Sequence, residues 1–167
     1  MLRTKQTARG GRNINQGNEK DPIMKSFTTF ASVLVLSLTV GLSGAHAGNK
    51  LKLDQFGFGN SFGSQQIGNN NAARALQDGF FNNGTIRQHG SSNTGVLGQS
   101  GAFNDGNIKQ TGHGNLGGIG QSGIGNSANL NQNGNFNGGL ILQTGTGHSA
   151  DVNQQGSGNT AVILQDN

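Results

Sequence analysis

No cysteine occurs in the 167 residues, so no disulfide can staple this chain in an oxidising compartment. Tryptophan and tyrosine are also absent, and charged residues make up only 11%. Gly, Asn, Gln and Ser dominate from Gly48 onward, a composition that by itself reads as disordered or prion-like. Charge of one sign is lacking there too. Lys50, Lys52, Arg74, Arg87 and Lys109 are balanced by Asp54, Asp78, Asp105, Asp151 and Asp166. The sequence pI near 10.0 therefore comes from the first 47 residues. A broad phosphate-binding surface is excluded on that ground, and no nucleic-acid partner is expected.

Long hydrophobic runs are missing as well. The one apolar stretch, Phe27 to Leu42, is shorter than the roughly 20 residues a membrane-spanning helix needs. It follows the positive flank Met24-Lys25 and precedes Gly44-Ala45-His46-Ala47, the order of a secretory signal peptide with cleavage after Ala47. The expected division is an N-terminal extension over 1–23, a signal peptide over 24–47 and a repeat domain over 48–167. Met24 stands where a true start would, which makes 1–23 an upstream extension. Its Arg3-Thr4-Lys5-Gln6-Thr7-Ala8-Arg9 is similar to a histone tail, a coincidence in a short basic segment because no histone fold follows.

What is present is a period. Glutamine recurs every eleven residues without insertion or deletion, at Gln55, Gln66, Gln77, Gln88, Gln99, Gln110, Gln121, Gln132, Gln143, Gln154 and Gln165. Two residues after each comes glycine: Gly57, Gly68, Gly79, Gly90, Gly101, Gly112, Gly123, Gly134, Gly145 and Gly156, with Asn167 closing the series. Five after comes asparagine: Asn60, Asn71, Asn82, Asn93, Asn104, Asn115, Asn126, Asn137 and Asn159, with His148 the exception. Two before most glutamines sits an aliphatic, and four before a Gly or Ala from Ala73 to Ala161. A fixed period means one supersecondary unit stacked many times.

The marked positions fall on every second residue, the period of a strand with one buried face. Nine residues of strand and two of turn make eleven, with the unit running from Asn to Gly and both ends pointing inward. Gly and Asn suit the tight arc, whereas glycine this dense would cost a helix about 1 kcal/mol at each site. A 22-residue alternation in the outward positions pairs the units. Val96, Leu140, Leu142, Val162 and Leu164 fall on one sheet, while Arg87, Lys109, Asn131 and Asn153 fall on the other. The expected fold is all-β: a β-solenoid of strand–arc–strand rungs, five of them and a final unpaired strand. Stacked Gln and Asn side chains would hydrogen-bond along the axis in structural Gln and Asn ladders, with the glycines in the arcs. Large Phe62 at the small position and Ser64 at the aliphatic one would conserve volume near the first rung.

The pattern Gln-x-Gly-x-x-Asn-x-Ala-x-x-x-Gln, complete in Gln121–Gln132 and Gln154–Gln165, resembles the curlin repeat. Curlins are subunits of curli, amyloid fibres exported by Gram-negative bacteria for biofilm matrix and adhesion. The resemblance covers 49–167 and implies a monomer that polymerises end to end into cross-β amyloid. It also implies secretion through the periplasm to a cell-surface fibre, and as partners further copies of the chain, another curlin-type subunit and export machinery. Two departures stand out: both half-repeats begin with Asn where curlins often alternate Ser and Asn, and no Gly-rich export segment separates Gly48 from the repeats.

Catalysis has little to rest on. His89, His113 and His148 occupy three repeat phases, and no Ser/His/Asp or paired-carboxylate arrangement stands out. Gly112-His113-Gly114 belongs to the repeat and opens no helix. A calcium-binding β-roll needs Asp in register, which is absent. No enzyme activity, cofactor or metal is expected. A monomeric capped solenoid that binds ice or carbohydrate through one face is the alternative, but Thr94, Thr144 and Thr160 are sparse for it. The last strand, read as Asn159 to Gln165, has no proline and no expected cap, which favours strand addition.

Overall fold

A computed structural model describes residues 48–167; the extension and signal-peptide expectations lie outside the described residues. Among the described residues eleven strands follow one another without a helix: β1 (Lys50–Phe58), β2 (Ser61–Asn69), β3 (Ala72–Phe80), β4 (Asn83–Ser91), β5 (Thr94–Ala102), β6 (Asp105–His113), β7 (Leu116–Ile124), β8 (Ser127–Asn135), β9 (Gly138–Thr146), β10 (Ser149–Ser157) and β11 (Thr160–Asp166). Odd-numbered strands form one parallel sheet in the order β1-β3-β5-β7-β9-β11, and even-numbered strands form the other, β2 through β10. Parallel neighbours need a crossover, and here the strand of the opposite sheet supplies it. The result is a β-solenoid with a 22-residue turn, in which Gln77 lies beside Gln99 and Gln99 beside Gln121 in strict register.

Strand limits differ by one residue from the sequence-based unit. Strands β1 to β9 each start after the asparagine and run one residue past the glycine; β10 does the same after His148, and the last strand is Thr160–Asp166. The asparagine therefore lies in the arc, placed there by its side-chain bonds and not by a left-handed backbone. Positive φ falls instead on the glycine, as in Gly101 (φ 110°), and on the residue just before the asparagine, as in Phe81 (φ 54°) and Phe103 (φ 58°). Arc backbones are satisfied between rungs, with Phe81 N–H donating to the Phe58 carbonyl at 3.0 Å and Asn83 N–H to that of Asn104 at 2.8 Å.

The core is a thin sandwich between the sheets. Leu97, Ile119 and Ile141 point in from the odd sheet, and Ile86, Ile108 and Leu130 from the even one, all essentially inaccessible to water. The small column faces them. A Cβ on Gly139 would sit 2.6 Å from Leu130 Cδ1, and one on Gly95 would sit 2.9 Å from Ile86 Cγ2. Each aliphatic of one sheet thus fills the space left by Gly or Ala on the other, the interdigitation that dense packing requires. Phe62 is half-buried and packs on this cluster at the first turn, beside Gly84.

The outward apolar set is less uniform than its periodicity implies. Val96, which lies in register with Arg74, is buried, and Leu140 and Leu142 are half-buried. Val162 and Leu164 are 59% and 64% exposed. Flanking neighbours cover the interior strands of a sheet, whereas β11 is paired on one side, to β9.

Candidate functional site

The glutamines divide into two columns, one per sheet. In the odd sheet Gln55, Gln77, Gln99, Gln121, Gln143 and Gln165 are joined by side-chain bonds from each Nε2 to the next Oε1, at 2.6 to 2.9 Å. Gln66, Gln88, Gln110, Gln132 and Gln154 are joined in the same way in the even sheet. All of these bonds run in one direction along the axis. The second Nε2 hydrogen crosses to the other sheet: Gln99 donates to the Asn83 carbonyl at 2.8 Å, and Gln110 to that of Thr94 at 2.9 Å. Seven glutamines from Gln77 to Gln143 are 1% exposed or less. A buried primary amide with its hydrogens unpaired would cost about 1–3 kcal/mol, and the ladder removes that cost.

The asparagines form two further columns in the arcs, and their bonds run the opposite way. Asn104 Nδ2 donates back to Asn82 Oδ1 at 3.0 Å, and Asn104 Oδ1 accepts from the backbone N–H and Nδ2 of Asn126, both at 3.1 Å. The same Nδ2 reaches forward to the Gly123 carbonyl at 3.1 Å. Each interior asparagine, such as Asn104, therefore ties three consecutive turns. Asn49, six residues before Gln55, joins this column by accepting from the Asn71 N–H at 3.0 Å. The ladder expected from the sequence begins at Asn60, although the spacing of Asn49 from Gln55 is that of the other units.

His148 stands in the asparagine place. Its backbone N–H donates to Asn126 Oδ1 at 3.0 Å, and its ring Nε2 lies 3.1 Å from the Thr144 carbonyl, where an asparagine amide would reach. His113 lies instead at an arc margin, bonded to Ser91 Oγ at 2.8 Å and edge-on to Phe136, and His89 is exposed on the even sheet. The three histidines do not converge.

The arc glycines have two independent reasons to lack a side chain. Gly101 has φ 110°, and a Cβ there would collide with the carbonyl oxygen of Gly123 one turn on. The same close approach recurs from Gly57 to Gly79, Gly79 to Gly101, Gly90 to Gly112 and Gly112 to Gly134. That carbonyl is also the oxygen the asparagine amide binds, so the glycine keeps open the path of the ladder.

A coil of two parallel sheets around paired amide columns is a β-solenoid repeat protein. The family model described as the curlin associated repeat matches residues 104–134 and 125–156, which take in β6 through most of β10, so this part of the chain carries the curlin associated repeat. The same bonds extend N-terminal to the matched residues, as from Gln77 to Gln99 and from Asn93 to Asn71. Comparison with curated proteins gave no match.

Proposed function

We propose that the chain is a structural subunit of a curli-like functional amyloid fibre. It elongates by end-to-end strand pairing and serves biofilm matrix and surface adhesion. The repeat domain over 48–167 is the fibre-forming part, and the segment over 24–47 directs export through the periplasm, with cleavage near Ala47. The observation that carries this reading is the in-register stack, in which every ladder glutamine lies over another 22 residues away and bonds to it. Such a stack places strands about 4.8 Å apart along its axis, the cross-β spacing. Among the described residues, β10 and β11 are paired on one side only, as are β1 and β2. These edges offer unpaired backbone groups to a further copy.

The partners in this reading are other copies of the chain, a second curlin-type subunit and export machinery. Its role is structural and not enzymatic. Among the described residues no helix is long and apolar enough to cross a membrane.

The test is to refold the purified protein from denaturant at neutral pH and follow amyloid-dye signal, electron micrographs and fibre diffraction. Unbranched fibres with a meridional spacing near 4.7 Å are expected. A β-rich protein that stays monomeric would sink the proposal and point to the ligand-binding alternative.

A further inference from the structure

The zero net charge of the repeat domain conceals a local concentration of cations. Strict parallel register sets Arg87 of β4 beside Lys109 of β6 on the outer face of the even sheet. Adjacent strands lie about 4.8 Å apart, and like charges directly opposite one another destabilise a sheet. Yet neither cation has an ion-pair or hydrogen-bond partner among the described residues, where Lys52 and Asp54 form the one ion pair, at 3.2 Å. Asp105, on the Lys109 strand, is four residues away and accepts instead from Asn83 Nδ2 at 2.9 Å.

The next outward pair along the same two strands is His89 beside Thr111. Arg87, Lys109, His89 and Thr111 therefore mark the corners of a tile, each with a donor on its side chain. A groove of about 160 Å³ lies over this tile, with Gln65 at its margin. Arg87, Lys109 and His89 are exposed. We propose that this tile binds one oxyanion group, a carboxylate or sulfate, bridged between the Arg87 guanidinium and the Lys109 ammonium. A guanidinium presents paired N–H donors to such a group, and the ammonium adds a compact charge from the facing side. The bound charge would relieve the repulsion that folding imposes on the pair. The site requires only the solenoid and is independent of fibre formation.

The test titrates the purified protein, as monomer or fibre, with sodium sulfate and separately with polygalacturonate, at constant ionic strength. The Arg87 Nε–H and His89 amide resonances report binding, in solution or in the solid state. Shifts confined to this tile are expected with one or both probes. Sulfate alone would identify a free-ion site, and polygalacturonate alone or in addition a site for polymer-borne carboxylate. Loss of both charges in Arg87→Gln/Lys109→Gln should weaken binding about tenfold or more. Lys109→Arg should retain it, and Lys52→Gln should leave it unchanged. No response to either probe overturns the proposal, as does an equal loss in Lys52→Gln, which would reduce the effect to general electrostatics.

Discussion

Gln99 donates from Nε2 to Gln121 Oε1 at 2.9 Å, and the two side chains are 1% and 0% exposed. Gln99 also accepts from Gln77 at 2.7 Å and donates to the Asn83 carbonyl. Gln99→Ala therefore leaves a donor on Gln77 and an acceptor on Gln121 without partners, and opens a cavity. A loss of about 3–5 kcal/mol is expected from denaturant unfolding of the soluble protein. Gln99→Glu adds a pH test. Burial would raise the folded carboxyl pKa above its unfolded value of about 4.3. The neutral acid is thus favoured by folding, and the variant should be relatively stabilised at acidic pH and lose that stabilisation as pH rises through the folded pKa. A deficit that does not change with pH would show that the carboxyl is not held in the ladder.

Two glycines separate backbone strain from collision. Gly101 and Gly125 both have positive φ, but a Cβ on Gly101 meets the Gly123 carbonyl while one on Gly125 meets nothing within 4 Å. Gly125→Ala should cost about 1–2 kcal/mol, for the left-handed backbone alone. Gly101→Ala should cost clearly more, because the strands must separate to admit the methyl group. Unfolding midpoints of the two variants decide the point, and equal losses would remove the collision argument.

The small column and the aliphatic column should behave as one unit. Gly139→Ala brings a methyl group 2.6 Å from Leu130 Cδ1 and should cost about 1–3 kcal/mol by overpacking. Leu130→Val frees part of that space. A double-mutant cycle should then return a favourable coupling of at least about 0.5 kcal/mol. Additive effects would mean the two residues do not share a contact that matters.

At His148 a stabilising change is expected. His148→Asn would restore an Nδ2 donor toward Asn126 Oδ1 and the Thr144 carbonyl, now approached by the ring at 3.1 Å. A gain of about 1 kcal/mol is expected in the unfolding free energy. A loss would indicate that the imidazole does more at this arc than substitute for an amide.

Outward apolar residues should divide by exposure. Leu140→Ser with Leu142→Ser is expected to thin fibre bundles without stopping elongation, because both side chains stay half-exposed on the outer face of β9, which is paired on both sides. Val96→Ser should lower stability instead, since Val96 is 3% exposed. Bundle widths in electron micrographs and unfolding midpoints check the two halves separately.

The sequence by itself determined the period, the alternation and the division into two sheets. In a stack of identical turns each position must tolerate its own copy one turn away, so Gln55 to Gln165 had to keep phase, and that phase is legible without coordinates. What the sequence left open is everything set by the approach of one element to another. Gly101 read as an arc residue, but the Gly123 carbonyl that excludes a methyl group is visible only when the turns are stacked. The reason for the small column lies in the packing of Leu130 against Gly139 and of Ile86 against Gly95, a contact between sheets that no single repeat displays. Strand limits shifted by one because the asparagine amide binds neighbouring turns and so belongs to the arc. Val96 read as exterior because periodicity assigns a face and says nothing about what lies beside it on that face. Arg87 and Lys109, 22 residues apart, became neighbours for the same reason the glutamines did: register in a parallel stack turns sequence distance into adjacency.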